Sequence, residues 1–508
     1  MKTDMPLGMN IFFGSHLVKK NESLSRFKRG SEVLFIEKET ASFIILSGAQ
    51  LEFFNSLRKP VSVSELRDGP PTCLSVKEKE ELLLKLYERN MVTINGLSHL
   101  DPAVLWKLPQ KYPGFLCFHI THSCNFRCKY CYALAEMSHD YMKKMPRDVY
   151  IRATEKILEE LPIESYLIDF HGGEPFIAYD EMLEIINHAR QHNEKRGLNK
   201  KLSFVCQSNG SLLTYEKIKN LYDLNCSVGI SLDGPSHVHD KNRIFCNGMG
   251  THEHIMSTVK PIMEQGYKMG YLAVVHDPEN YIDVLKFFMD EGKDNVRINY
   301  SAFIGRAAEE LEFPHERAEV FAKNYLKMVD FAFDYVLENK KQLVIKDLDS
   351  YLSNVHTKQR PYMCFRSPCG CGNSILGFGA DGGIFACEEA VGIEAFRIGN
   401  VFDKTNLADM LDNSPVLKEI GGRNVDNIPR CKNCAFKRFC GGRCTTKSFA
   451  KYGNFRREDP MCRFYQVIFP EIIWKSHDRP EAIRYLNPRL SHLFPGEAPM
   501  PEACFCDD

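Results

Sequence analysis

Between residues 113 and 303 the chain alternates short apolar runs with longer polar and apolar stretches. The runs, 115–120, 166–170, 202–206, 226–232, 271–275 and 296–303, have strand length. Stretches such as 147–161 and 180–196 read as helices between them. This alternation predicts parallel strands joined by crossover helices. Six such units are too few for a closed eight-stranded barrel. An α/β fold with a partial (β/α)6 TIM-like barrel over 113–338 is therefore expected, with its chemistry at the C-terminal ends of the strands.

The first hundred residues have another pattern. Segments 31–37 and 41–46 read as strands, and Ser47 precedes a helix with Leu51, Phe54 and Leu57 on one side. Ser75 and Glu78 have capping-box spacing before a helix carrying Leu82, Leu83, Leu86 and Met91. A strand at 92–94 closes a small winged-helix-like domain, 1–105. Beyond about 340 the alternation gives way to a region rich in Cys and Gly, taken as a third domain, 339–470. Its short loops are expected to bury little apolar surface and to draw fold energy from metal. The tail, 471–508, holds five prolines and ends Cys504-Phe-Cys506-Asp-Asp, and irregular structure is expected there.

At 508 residues the chain is too long for one core, which agrees with three domains. A formal net charge of −1 provides no global basic field for nucleic acid. No apolar run of membrane length and no signal segment is visible, so a cytoplasmic protein is expected. Nineteen cysteines change the picture. They cluster at 124–131, 364–387 and 431–462 with no secretion route to oxidise them, which favours metal binding over disulfides.

Cys124-x3-Cys128-x2-Cys131 places three thiols on one loop. A cubane iron–sulfur cluster takes four cysteines, so a loop with three leaves one iron open. A zinc site is the other reading of these three. The second strand run ends Gly172-Gly173-Glu174-Pro175, the third ends Ser208-Asn209-Gly210, and the fourth ends Ser231-Leu-Asp233-Gly-Pro, with Arg243 twelve residues after Ser231.

In this order the motifs resemble those of the radical S-adenosylmethionine (SAM) enzymes, in the branch that modifies peptides and proteins. The resemblance implies that Cys124, Cys128 and Cys131 hold a 4Fe-4S cluster whose open iron is chelated by SAM. It further implies that Gly172, Gly173 and Glu174 read the SAM amino group. Ser208 and Asn209 form a neighbouring turn, and Ser231 and Arg243 meet the polar end of SAM. Tyr130 and Ile304 lie near adenine. Arg127 and Lys129 are expected to offset cluster charge.

Cys431-x2-Cys434-x5-Cys440-x3-Cys444, with Cys462 after it and Cys364, Cys369 and Cys387 before it, resembles the SPASM domain with two auxiliary 4Fe-4S clusters. The resemblance assigns Cys364, Cys369, Cys387 and Cys444 to the first, and Cys431, Cys434, Cys440 and Cys462 to the second. Cys371 competes with Cys369 for one position, and a pair of zinc ribbons is the alternative. Glu388 stands where sulfatase-maturating members carry a catalytic aspartate, or is a solvated carboxylate.

The implied activity is maturation of a ribosomal precursor peptide, for which the N-terminal domain resembles leader-peptide recognition domains. A flavodoxin- or ferredoxin-type protein would supply electrons. Formylglycine formation on a sulfatase is the alternative, and a zinc-binding adaptor without activity is the alternative of another class.

Overall fold

The computed structural model describes residues 14–69, 73–107, 111–133, 144–302, 304–310 and 315–494. The chain divides into two compact units, Met1–Lys107 with Arg430–Gly441, and Leu108–Pro429 with Gly442–Asp508.

The first unit holds strands β1 (Leu17–Lys20), β2 (Leu24–Arg29), β3 (Glu32–Glu37), β4 (Ser42–Leu46), β5 (Val61–Ser62) and β6 (Val92–Ile94). They form two three-stranded sheets, β5-β1-β6 and β2-β3-β4. The strands expected at 31–37, 41–46 and 92–94 are present. β1 and β2 escaped the sequence reading because Leu-Val-Lys-Lys and Leu-Ser-Arg-Phe-Lys-Arg carry too few apolar positions. Helix Val76–Glu88 opens with the expected reciprocal box between Ser75 and Glu78, and helix Val63–Asp68 has a second between Ser62 and Glu65. Ser47 precedes helix Gly48–Ser56 without a side-chain cap bond. In this unit Phe27 packs on Phe436, and the buried Lys437 ammonium pairs with Glu39 at 2.8 Å.

The second unit is built on β7 (Phe115–Thr121), β8 (Ser165–Gly172), β9 (Lys201–Ser208), β10 (Cys226–Ser231), β11 (Gly270–Val275) and β12 (Asn295–Tyr300). All six run parallel, each beside the next in chain order. Later segments extend both edges: β13 (Val344–Ile345) joins β12, and β14 (Ile375–Phe378) lies parallel to β7. β15 (Gly383–Phe385) and β16 (Arg397–Asn400) follow antiparallel, completing the order β13-β12-β11-β10-β9-β8-β7-β14-β15-β16. Apolar side chains on the strands, including Leu116, Phe118, Ile168, Phe170, Phe204 and Ile230, are fully buried under the crossover helices.

Two expectations need correction. The region after 340 buries substantial apolar surface of its own: Phe385, Ala386, Ala390, Phe396, Ile420 and Phe455 form a compact core into which Cys369 and Cys371 are packed. Its aromatic residues lie far apart in sequence, so no local period marks them. The described part of the tail, 471–494, is largely regular as well. Helix Cys462–Asp478 runs through Pro470 and packs on the long helix His315–Asn339. Pro480 and Pro488 each start a short helical turn, a position where the missing N–H costs nothing. Cys504 and Cys506 lie outside the described residues. Among the described residues no helix is long and apolar enough to cross a membrane.

Candidate active site

The C-terminal ends of β8, β9 and β10 and the loop after β7 converge on a cavity of about 280 Å³. Cys124, Cys128, Cys131, Tyr130, Gly172, Gly173, Glu174, Ser208, Asn209, Ser231 and Arg243 all line it. Ile304 is buried but is not part of the lining, where Ile298 and Ala302 stand instead.

Backbone pairing holds the cysteine loop in place. The N–H of Arg127 donates to the Ile244 carbonyl at 2.8 Å and that of Lys129 to Asn242 at 3.0 Å. Arg306, which the sequence reading did not single out, donates from Nη1 to the Cys128 carbonyl at 2.6 Å. Among the charges that act on the Cys128 thiol are the cations Arg243 and Arg306. Burial is the larger influence and pushes the thiols of Cys124 and Cys128 upward. Cys124 is buried and Cys128 and Cys131 are half-buried; thiols so placed are stable as thiolates only beside strong positive charge, so this donor set fits an iron–sulfur cluster.

Gly172 and Gly173 are demanded by a close approach of backbones. Gly172 has φ +120, and a Cβ on it would lie 2.2 Å from the Thr121 carbonyl oxygen. One on Gly173 would lie 2.0 Å from that of Ser123. The N–H groups of Gly173 and Glu174 donate to these same carbonyls at 2.8 Å. A Gly173→Ala variant is therefore expected to push the cysteine loop aside and to lose about four iron atoms per chain after anaerobic reconstitution. Iron analysis beside wild-type protein checks this.

The Glu174 carboxylate is almost wholly buried. Oε1 accepts from the Phe176 N–H at 3.1 Å and from Ser208 Oγ at 2.8 Å; Oε2 accepts from the Asn209 N–H at 2.7 Å. Burial raises its pKa, and the three donors oppose the rise. A carboxylate has about four acceptor positions, so these bonds leave room for one more donor. Asn209 continues the lattice, donating from Nδ2 to Asn125 Oδ1 at 2.9 Å, while Gln207 Nε2 donates to Ser231 Oγ at 3.0 Å.

Asp233 was quoted in a motif without a role, yet it organises the next corner. Its Oδ2 accepts from the Tyr130 hydroxyl and from Arg243 Nε at 3.0 Å; its Oδ1 accepts from the Val274 N–H at 2.9 Å. Burial disfavours the Arg243 charge, but Asp233 and the neighbouring groups outweigh it and keep the guanidinium protonated. The guanidinium lies 5.4 Å from the Tyr130 ring centroid. Tyr130 is thus held in this corner by Asp233 as well as lining the cavity.

Across the cavity Glu388 and Glu389 face the strands. Glu388 is pushed up to about 7 by burial and by Glu389, and shares a small cluster with Cys117 and Asp169. Asp169 is buried, its Oδ1 has no hydrogen-bond partner, and burial followed by Glu388 raises its pKa well above the usual carboxylate range. A carboxyl group protonated in the folded state above the unfolded carboxylate pKa stabilises at low pH and loses that contribution as pH rises. Stability should therefore fall with rising pH above about 4, the ordinary Asp value. Asp169→Asn should flatten that slope in denaturant titrations run at several pH values.

The structure gathers Cys364, Cys369, Cys371 and Cys387 with Cys444 beside Cys387, five thiols for the four expected. Cys371 lies beside both Cys369 and Cys387, which raise its thiol pKa. Its thiol, followed by other neighbours, lowers Cys369 to about 5. Cys444 Sγ donates to Glu389 Oε2 at 3.1 Å. Of the other expected ligands, Cys431, Cys434 and Cys440 belong to the first unit and Cys462 to the second. Arg443 and Lys447 complete the cavity wall and were missed, although Arg443 directly precedes a motif cysteine.

Residues 118–290 match the family model described as the Radical SAM superfamily. The chain is 28% identical over 352 residues to an uncharacterized protein of Archaeoglobus fulgidus, covering 68% of this chain and 78% of that one. It is 25% identical over 364 residues to a cysteine-type anaerobic sulfatase-maturating enzyme of Clostridium novyi, covering 70% and 93%. Among solved structures, native anSMEcpe with bound AdoMet superposes with a TM-score of 0.61 at 22% identity, covering 72% of this chain and 99% of that one. With three thiols, a buried carboxylate and a buried arginine around one cavity, residues 118–290 form a radical SAM domain, the class that binds a 4Fe-4S cluster and SAM.

Proposed function

We propose that the chain is a radical SAM maturase that abstracts a hydrogen atom from a residue of a ribosomal precursor peptide and so installs a post-translational modification. The observation that carries this reading is the convergence of Cys124, Cys128, Cys131, Glu174 and Arg243 on one cavity at the strand ends. A zinc adaptor gives no reason for that convergence. The partial barrel, the winged-helix-like unit and the SPASM assignment of 339–470 belong to the same proposal.

When bound, the cluster supplies the electron that splits SAM into methionine and a 5′-deoxyadenosyl radical. Cys124, Cys128 and Cys131 would hold it. The remaining acceptor position on Glu174 suits the SAM ammonium. Arg243 spends Nε on Asp233, and its terminal amino groups suit a carboxylate. Ser231, Ser208 and Asn209 form the polar side of the pocket, and Tyr130 with Ile298 supplies flat and apolar surface for adenine. Glu388 lines the cavity one residue after Cys387 and is positioned to take a proton from substrate.

Cys364, Cys369, Cys387 and Cys444 would hold an auxiliary cluster, with the Cys371 thiol beside Cys369 and outside it. Iron content tests the number of clusters, about 12 atoms per chain for three cubanes.

A second reading has support from the relatives, since cysteine- and serine-type anaerobic sulfatase-maturating enzymes match over 70% and 69% of this chain. It predicts formylglycine on a sulfatase. One experiment separates the two: co-expression with candidate precursor peptides and with a sulfatase substrate peptide, followed by mass spectrometry. A mass change on a precursor that vanishes in the Cys124→Ala/Cys128→Ala/Cys131→Ala variant supports the first. An aldehyde on the sulfatase peptide supports the second, and no modification of either sinks both.

A further inference from the structure

The crossover helices after β7 and β8 carry a second constellation, none of which lines the cavity. Helix Arg147–Glu160 presents Glu155 and Glu159 one turn apart, and helix Tyr179–Lys195 presents His188 and His192 with the same spacing. The helices pack together, and one ligand atom each from Glu155, His188 and His192 lies within 4.8 Å of the others.

The distances within the cluster are informative. Glu155 Oε1 stands 3.6 Å from His188 Nε2 and 3.8 Å from His192 Nδ1, too far for hydrogen bonds. His188 Nε2 is buried without a hydrogen-bond partner. His192 Nε2 lies 2.8 Å from Glu159 Oε1. A carboxylate only accepts, so Nε2 carries a proton, and a ring with that proton alone would turn the Nδ1 lone pair towards Glu155, where a metal would sit. Ligand atoms about 2.0–2.1 Å from a tetrahedral zinc ion lie roughly 3.3–3.4 Å apart, within a few tenths of these separations. Glu159 stands where an outer carboxylate orients a metal-bound imidazole. Its other partner is Arg196, at 3.0 Å; Arg147 and Glu184 act on His188 with opposite sign. Burial lowers the His188 pKa and favours the neutral ring a metal needs, though Glu155 opposes this.

We propose that Glu155, His188 and His192 form a binding site for a divalent transition metal of the zinc class, with Glu159 fixing the tautomer of His192. Imidazole and carboxylate together suit zinc better than calcium or magnesium. The three ligand side chains are only partly buried, although the His188 Nε2 atom itself is covered. The ion would clamp the helices that back β7 and β8, the strands leading to the cysteine loop and to Gly172–Glu174.

The test uses protein with its iron–sulfur clusters reconstituted, so that the cluster cysteines are already occupied, and zinc ion as the probe; the double-variant comparison subtracts zinc held by the remaining thiols, Cys73 and Cys246 among them. Equilibrium dialysis is expected to give one more zinc per chain in wild type than in His188→Ala/His192→Ala. Zinc-edge X-ray absorption should show nitrogen and oxygen neighbours near ~2.0–2.1 Å and no sulfur near ~2.3 Å. Glu159→Gln should weaken binding about 10- to 100-fold while retaining the stoichiometry. Equal zinc in wild type and double variant, or a sulfur shell, would overturn the proposal. These partly exposed helix positions lie outside the cavity, and unchanged iron content in each variant confirms that the fold persists.

Discussion

Glu174→Ala is expected to lose SAM binding and at least about 3 kcal/mol of stability, because three buried donors lose one charged acceptor together. A hydrogen bond to a charged group contributes about 1.5–3 kcal/mol, and an abandoned buried donor costs about 1–3 kcal/mol. Glu174→Gln is the sharper variant. Its carbonyl oxygen can still accept from Phe176 N–H and Ser208 Oγ, but its amide nitrogen then faces the Asn209 N–H, donor against donor. Stability should fall by about 1–3 kcal/mol. SAM affinity should fall by one to two orders of magnitude, the equivalent of one charged hydrogen bond. Denaturant midpoints and anaerobic equilibrium dialysis read the two effects separately. Wild-type affinity in Glu174→Gln would show that the ligand makes no use of the spare acceptor.

The second large effect belongs to Arg243. Arg243→Met leaves Asp233, only 1% exposed, with the Tyr130 hydroxyl and the Val274 N–H but no cation. Removing one partner of a buried pair costs about 3–5 kcal/mol, since the other charge is left without compensation. Asp233→Asn/Arg243→Met removes both charges and should recover much of that loss. SAM binding should stay impaired in both variants, because the cation opposite its carboxylate is gone in each. Stability that does not recover in the double variant would mean that Arg243 acts mainly through packing. Recovered SAM affinity there would remove Arg243 from the binding role. Lysine is a poor substitute: it offers one compact charge where the site uses Nε for Asp233 and needs the other end of a planar fork.

How legible this was in the sequence differs by element. The strands β7 to β12 announced themselves by short clusters of apolar residues closed by polar or glycine residues, nearly continuous in β7, which is buried on both faces, and alternating in β9 and β12. β1 and β2 did not, since short strands with Lys or Arg at half their positions look like loops. Helix Cys462–Asp478 was hidden by Pro470, whose cost is offset by the burial of Phe464, Tyr465, Ile468, Phe469, Ile472 and Ile473 along its length.

Within the site, the residues read from short spacings line one cavity: the three cysteines of one loop, the Gly172–Glu174 turn, Ser231 with Arg243. Asp233, Arg306, Asp169 and Lys447 were assigned no role, and two cations that act on Cys128, Arg243 and Arg306, lie far from it in sequence. A flanking position says how close two backbones are, not which way a long side chain turns. Ile304 shows the same limit, being buried beside the site while Ile298 and Ala302 form its wall.

The linear chain alone determined which residue types stand at short, rigid separations, because tight turns and strand ends translate sequence distance into spatial distance with little freedom. Folding decided everything that joins distant segments: the three donors converging on Glu174, the buried Asp233–Arg243 pair, Asp169 beside Glu388, and the imidazoles of one helix opposite the carboxylates of another. These depend on strand register and helix packing, where a shift of one residue turns a strand side chain to the opposite face and a helical one by about 100°.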